Sequence, residues 1–360
     1  MNNYESQSGI TLNGRWHSRR SLSEPGVHPE LDDPLVRKVL EFLHQWFDDT
    51  QGITLFTSGS TGPPKKVILP KKAMMASAEM TGRFFKLKPG MTAHLCLSPD
   101  FVAGKMLIVR ALAHGMDLLT THVGANPLEA LTQDVDFSAM VPLQVANVLK
   151  HNPEKMEQVS ILIIGGGAVS PLLEQQLMHL KTNCWHTYGM TETLSHIALR
   201  PMNGPERSDW FTPLPGVEVS ADPRGCLVIN APAIIPEKVV TNDLVLVKNN
   251  RFQVLGRKDD VIISAGHKLH PAVIEQKIGS WLSSPFFLAG EQHPSAGQIP
   301  VLFVEAPPRE NQKQQIQEHL EQRLDPYEVP RKVIMLDRFV YLESGKINRQ
   351  ATQDLYYSSR

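Results

Sequence analysis

This chain has no basic excess. Its 36 lysines and arginines face 37 aspartates and glutamates, a formal net charge of −1. A general nucleic-acid binder draws its affinity from surplus cations, so no nucleic-acid partner is expected, although a basic patch can sit inside a neutral total. Cysteine is scarce as well. Cys96, Cys184 and Cys226 are scattered, no CxxC pair occurs, and an odd count makes a poor disulfide framework. Buried, reduced thiols of a cytoplasmic protein are expected instead. No apolar run approaches the roughly 20 residues of a membrane span, and residues 1–9 are polar where a secretion signal would be apolar. The histidines are mostly single, and His267 with His270 falls far short of a zinc site. What the chain does have is 360 residues, 41% of them hydrophobic and 20% charged. That suffices for a real core and, at roughly 100–200 residues per domain, for two or three domains. A soluble, multi-domain enzyme without an integral membrane segment is expected.

The first thirty residues are polar apart from a strand expected over 10–16. A helix follows. Asp32 or Asp33 can cap it, Pro34 suits its first turn, and Val36, Val39, Leu40, Leu43 and Phe47 recur at helical spacing. Strands and helices then alternate. Strands are expected at 53–57, 67–69, 92–97, 117–121, 137–141, 160–164 and 183–187. Helices are expected at 71–85, 104–113, 142–151 and 170–180. This alternation predicts an α/β fold with a mainly parallel, helix-covered sheet. After Pro201, strand-like segments at 217–220, 226–230, 244–248 and 252–255 are separated by Pro, Gly and Asn turns, which predicts a β-rich subdomain over about 202–256. The charged run Gly256-Arg257-Lys258-Asp259-Asp260 marks a boundary. The expected division is therefore an N-terminal domain at 1–256 and a small α+β domain at 257–360. The latter should hold strands at 261–264, 301–305 and 332–336 and helices at 271–281 and 311–324.

Thr57, Ser58, Ser60 and Thr61 place four hydroxyls within five positions, interleaved with Gly59 and Gly62 and followed by Lys65 and Lys66. Glycine lets the backbone approach a ligand closely. Hydroxyls and amides donate to phosphate oxygens, and lysine adds a point charge. The loop suits a polyphosphate, but it is not a Walker A loop. Counted from Gly59, the second glycine position is Pro64, and a strand follows where that motif needs a helix.

The stretch Thr57-Ser58-Gly59-Ser60-Thr61-Gly62-Pro63-Pro64-Lys65 resembles the phosphate loop of the adenylate-forming superfamily, which comprises acyl-CoA synthetases, luciferases and peptide-synthetase adenylation domains. Further motifs follow in the family's order. Tyr188-Gly189-Met190-Thr191-Glu192 resembles the stretch whose Tyr stacks on adenine, whose Thr contacts the α-phosphate and whose Glu binds Mg²⁺. A hard carboxylate suits that ion independently. Gly165-Gly166-Gly167-Ala168 resembles the turn that lies along adenine, although any parallel sheet can place glycine there. Thr241-Asn242-Asp243-Leu244 is similar to Thr-Gly-Asp-Leu, whose Asp accepts from both ribose hydroxyls. Asn242 stands in for the glycine and tolerates a left-handed turn.

The longest match runs from Gly256 to Lys268. There the resemblance assigns Arg257 to the ribose, Asp259 to the hinge between domains and Gly266 to the pantetheine path. Lys268 stands where Arg is frequent, and Ile263 where many members carry Lys. Ser344-Gly345-Lys346-Ile347-Asn348-Arg349 resembles the catalytic-lysine loop.

The resemblance implies a two-step ligase using ATP, Mg²⁺ and coenzyme A. A carboxylate attacks the α-phosphate to give an acyl-adenylate. Lys346 bridges the carboxylate and the phosphate, the C-terminal domain then turns about Asp259, and a thiol is admitted. Positioning and charge neutralisation should dominate. Within the superfamily, Asp100-Phe101-Val102-Ala103-Gly104-Lys105-Met106, Tyr188–Thr193 and the small size most resemble short 2-succinylbenzoate–CoA ligases of menaquinone synthesis. That acid keeps a second, aromatic carboxylate, which needs a cation or several donors when enclosed. Lys105, His196 and Arg200 are the candidates, and residues 140–143 are candidates to border the aryl group. Another carboxylate–CoA ligase, a carrier-protein adenylating enzyme and a non-catalytic nucleotide-binding paralogue remain alternatives. Only residues 1–56 precede the phosphate loop, fewer than in most relatives. The missing part should be N-terminal scaffold, and the acyl pocket either keeps its walls or borrows one from a second subunit.

Overall fold

The computed structural model describes residues 7–23, 33–57, 65–307, 309–341 and 347–358. Up to residue 213 the chain runs β1 (Gly9–Leu12), β2 (Arg15–Ser18), α1 (Arg19–Ser23), α2 (Pro34–Phe47), β3 (Gly52–Thr57), β4 (Lys65–Pro70), α3 (Lys71–Phe85), β5 (Thr92–Leu95), α4 (Val102–His114), β6 (Asp117–Thr120), β7 (Val135–Met140), α5 (Pro142–His151), β8 (Val159–Ile164), α6 (Pro171–Leu177), β9 (Asn183–Gly189), β10 (His196–Pro201) and β11 (Thr212–Pro213). Nine of these strands form one sheet in the order β11-β10-β9-β8-β7-β5-β6-β1-β2. The run β1–β6–β5–β7–β8–β9 is parallel, and the pairings outside it are antiparallel.

The local reasons are visible in the chain. Asp33 caps α2, accepting from the Leu35 N–H at 2.7 Å and the Val36 N–H at 3.3 Å, with Pro34 in the first turn. The other expected cap, Asp32, lies outside the described residues. α4 is apolar almost all round and buried from Gly104 to Leu112, as a central helix must be. Phe84, Phe85, Phe137 and Trp185 pack with ring centroids 4.9–5.6 Å apart, tying α3 to β7 and β9. The strand expected over 10–16 is a hairpin instead. Asn13 and Gly14 take φ of +49° and +76°, a turn in which Asn-Gly reverses two strands after two residues. β10, buried throughout, has no counterpart among the expected strands.

Two compact units emerge: residues 1–168, 176–219 and 229–239 in one, and 169–175, 220–228 and 240–360 in the other. A four-stranded sheet orders β12 (Glu218–Ala221), β13 (Cys226–Asn230), β14 (Val239–Lys248) and β15 (Arg251–Arg257). β14 begins five residues before the strand expected at 244, so Thr241, Asn242 and Asp243 are strand residues. The remainder is β16 (Ile262–Ser264), β17 (His267–Leu269), α7 (Pro271–Ile278), β18 (Phe286–His293), β19 (Gly297–Glu305), α8 (Glu310–Arg323), β20 (Lys332–Leu336) and α9 (Arg349–Ser358). β19 shows why this part folds as a layered α+β module. Leu302 and Val304 face a cluster with Ile274, Ile316 and Leu320, while Val301 and Phe303 face Phe287 and Phe339. That is the two-residue period of a strand buried on both faces. No helix among the described residues is long and apolar enough to cross a membrane.

Candidate functional site

β3 and β4 form an antiparallel hairpin from the pair Gly52↔Pro70 to the pair Thr57↔Lys65. Thr57 and Lys65 thus flank the ends of the hydroxyl-rich loop. Ser58, Gly59, Ser60, Thr61 and Gly62 lie outside the described residues. Behind the hairpin, the fully buried Lys71 donates to Asp48 Oδ1 at 2.7 Å and to the Asp48 carbonyl at 2.9 Å. Burial pushes the Asp48 carboxyl up, but hydrogen bonds from Lys71 and Thr50 outweigh it and leave the group below its ordinary value.

The next βα turn follows β8. Gly166 takes φ of +79°, which favours glycine. At Gly165 a Cβ would stand 2.4 Å from Thr187 Oγ1, so the close passage of β8 by β9 also requires glycine. His186 Nε2 lies 3.2 Å from the Gly167 carbonyl. β9 continues to Gly189, so Tyr188 is held on the strand, its ring 5.9 Å from that of Phe211. Thr191–Thr193 then form a single 3₁₀ turn. Thr193 locks this turn: its hydroxyl accepts from the Met190 N–H at 2.9 Å and donates to the Ser195 carbonyl at 2.8 Å. Thr191 is half-buried and Glu192 exposed. A hydroxyl and a carboxylate are therefore presented side by side at the carboxyl end of β9.

Arg110 is the residue that motif reading missed. It lies on α4, 1% exposed. Nη2 donates to Ser195 Oγ at 2.7 Å and to His196 Nδ1 at 3.4 Å. Nε has no partner, and no carboxylate among the described residues pairs with the guanidinium. Burial pushes its pKa down to about 9, so it is still cationic at neutral pH. His196 passes the donor pattern on. With Nδ1 accepting, Nε2 donates to Thr81 Oγ1 at 3.0 Å, and Thr81 donates to the Ser77 carbonyl at 3.2 Å. Burial, then the neighbouring Arg110, hold the His196 pKa well below the ordinary histidine value, so this imidazole is neutral. One signal in the chain pointed here: Arg110 is a lone cation in Met106-Leu107-Ile108-Val109-Arg110-Ala111-Leu112.

The structure thus joins His196 to Arg110. It places Lys105 elsewhere, its ammonium 5.1 Å from the centroid of the Phe42 ring and about 140° around α4 from Arg110. Arg200 reaches Asp209 at 3.6 Å and lies 5.8 Å from the Phe211 ring centroid.

Three neutral histidines, His94 and His196 buried and His186 half-buried, make an acid-stability prediction. Burial lowers His94 to about 4; burial, then Arg200, lowers His186 to about 4; and burial, then Arg110, holds His196 well below its ordinary value. Each folded pKa is depressed, so the unfolded chain takes up protons below about pH 6.5 that the native sites refuse. Stability is lost as pH falls from there toward 4, by up to about 1.4 kcal/mol per pH unit per histidine. Thermal unfolding at pH 5 should therefore lie several degrees below that at pH 7. His94→Asn should make the pH slope shallower, and an unchanged slope would remove His94 from this account.

In the other unit, Asp243 and Arg257 face each other across β14 and β15, with Arg257 Nη1 3.5 Å from Asp243 Oδ1. Arg257 Nη2 lies 3.3 Å from Asp259 Oδ2, which also accepts from Asn242 Nδ2 at 3.0 Å. Asn242 is in an extended strand and not a left-handed turn, so its tolerance for that turn is not used. Gly266, at φ +84°, closes the β16–β17 turn. Lys346 lies outside the described residues; the chain on either side is tied by a bridge between Tyr341 and Ile347. Among the described residues no group of three or more His, Cys, Asp or Glu side chains could hold a metal ion by itself.

Residues 44–228 match the model of the AMP-binding enzyme family, and residues 287–346 that of the AMP-binding enzyme C-terminal domain. A 2-succinylbenzoate–CoA ligase of Listeria monocytogenes is 25% identical over 87% of this chain and 72% of its own length. That of Bacillus mycoides is 28% identical over 88% and 73%. An acyl-CoA synthetase (AMP-forming)/AMP-acid ligase II-like protein from Dyadobacter fermentans shares 34% identity and a TM-score of 0.61, covering 91% of this chain and 96% of that one. An o-succinylbenzoate coenzyme A synthetase from Bacillus subtilis, in complex with ATP and a magnesium ion, has the same fold with a TM-score of 0.71, at 21% identity over 84% of this chain and 69% of that one.

Proposed function

Because the chain belongs to the AMP-binding enzyme family, we propose that it is an ATP-dependent 2-succinylbenzoate–CoA ligase of menaquinone synthesis, working in the cytoplasm. The observation that carries the substrate assignment is Arg110, a buried guanidinium with no carboxylate partner among the described residues, bonded to Ser195 and His196 just beyond the Thr191–Thr193 turn. A buried cation costs stability unless an anion joins it. The aromatic carboxylate of 2-succinylbenzoate supplies that anion. His196, neutral and bonded onward to Thr81, keeps the guanidinium oriented.

The succinyl carboxylate attacks the α-phosphorus of ATP, pyrophosphate leaves, and the coenzyme A thiol then displaces AMP from the acyl carbon. Residues 57–65 hold the β- and γ-phosphates, with Gly166, Gly167 and Tyr188 along the adenine and Asp243 and Arg257 at the ribose. Thr191 donates to the α-phosphate. The exposed carboxylate of Glu192 is a hard oxygen donor and would hold Mg²⁺ together with the bound nucleotide. When bound, that ion neutralises phosphate charge. Lys346 bridges the attacking carboxylate and the α-phosphate. Asp259, in the 3₁₀ turn Lys258–Asp260, is the hinge that withdraws it, and Gly266 borders the path of the thiol.

The test is acid-dependent ATP–pyrophosphate exchange with a panel of acids, followed by thioester formation. 2-Succinylbenzoate should support both. 4-Oxo-4-phenylbutanoate, which lacks only the ring carboxylate, should have a kcat/KM lower by about 10²-fold. Exchange with none of the acids points to a nucleotide-binding paralogue. Exchange without a CoA thioester points to a carrier-protein adenylating enzyme.

A further inference from the structure

Lys346 is joined through the peptide bond to Ile347, and Ile347 is where the chain re-enters described structure. Its side chain packs on the Phe287–Phe303–Phe339 cluster, and its backbone bridges to Tyr341 in antiparallel fashion. Asn348 continues the anchor. Its N–H donates to the Val340 carbonyl at 2.8 Å, and its side chain accepts from the Ala351 N–H at 3.0 Å, capping α9. The departing end is therefore held by core packing and by a helix cap. The entering end is held differently. Tyr341 is 39% exposed, too open for packing alone to define its place. Its hydroxyl donates to Glu305 Oε2 at 2.7 Å, and the same oxygen accepts from the Phe339 N–H at 2.8 Å. Glu305 is the last residue of β19, a strand hydrogen-bonded on both sides by β18 and β20. One carboxylate oxygen on a rigid strand thus fixes both the approach at Phe339 and the bridging residue Tyr341. Burial, then the bond to Glu305, push the Tyr341 phenol up, as a donor to a carboxylate requires.

We propose that Tyr341 and Glu305 form a positioning pair that sets the base of the segment carrying Lys346 and so the placement of that ammonium during adenylation. The inference rests on Lys346 acting in that step. A hydrogen bond to a carboxylate is among the stronger kinds, and a catalytic group displaced by about 1 Å loses up to about 10²-fold in rate. The pair should therefore act on the half-reaction that uses Lys346 and leave the other alone.

Tyr341→Phe, which removes only the hydroxyl, is expected to lower kcat for ATP–pyrophosphate exchange with 2-succinylbenzoate about tenfold. KM for ATP should stay within about twofold, as should CoA thioester formation from supplied acyl-adenylate. Glu305→Ala should do the same, and the double variant should be no worse than Glu305→Ala alone. Glu305→Gln keeps an oxygen that can accept from Tyr341 and should retain most of the exchange activity. Unchanged exchange in Tyr341→Phe, or an equal fall in both half-reactions, overturns the positioning role. Lys346→Ala is the control: if it too spares exchange, the role given to Lys346 fails, which is a different result from failure of the pair.

Discussion

Lys346→Ala is expected to slow acyl-adenylate formation about 10²–10³-fold while thioester formation from supplied acyl-adenylate stays within about threefold. The asymmetry follows from where charge develops. When the succinyl carboxylate attacks the α-phosphorus, two anionic groups approach each other, and a cation placed between them stabilises the transition state more than the ground state. The second half-reaction replaces an oxygen leaving group by sulfur at the acyl carbon and has no such approach to neutralise. Single-turnover measurement of each half-reaction, on the same preparation, reads the difference. Parallel loss in both would remove the assignment of Lys346 to one half-reaction and with it the alternation about Asp259.

Arg110→Met should lower kcat/KM for 2-succinylbenzoate by about 10²-fold or more, the consequence of leaving a bound carboxylate without its buried partner. Its effect on stability should have the opposite sense. The guanidinium is enclosed with one nitrogen unpartnered and no counter-carboxylate among the described residues, so an apolar side chain of similar length relieves a desolvation cost. The thermal midpoint should be unchanged or raised. Activity with 4-oxo-4-phenylbutanoate should change little, because that acid brings no ring carboxylate to lose. A large drop in midpoint, or equal loss with both acids, would make Arg110 a structural residue.

The parts of this protein that were legible in the chain are those whose cause is local. α3 and α5 begin and end where the sequence places them, at 71–85 and 142–151. Pro70 precedes the first; Pro142 opens the second, and the Gln144 side chain turns back to accept from the Val141 N–H at 3.1 Å. The glycines at 165 and 166 were legible for the same reason, a turn between a strand and a helix. β10, β18 and α9 were not. β10 and β18 are strands that pair antiparallel with neighbours, and α9 is largely polar. The two strands depend on a partner already in place, not on a periodicity of their own. Asp243 lies mid-strand, opposite Arg257, a pairing set by the register of β14 and β15 and not by the Thr-Asn-Asp-Leu spacing.

The sequence by itself determined the chemistry available: a hydroxyl-rich loop, Thr191 beside Glu192, a carboxylate at 243, a lysine at 346 and an arginine isolated among apolar residues. These are properties of residue type and short spacing, and folding does not change them. Tertiary structure decided which of these groups meet. It set His196, not Lys105, beside Arg110, 86 residues away along the chain, and Glu305 under Tyr341, 36 residues away. Such meetings depend on strand order and register, where a slip of one residue turns every side chain to the other face. Many partners fit a given strand locally, and only the buried core selects one.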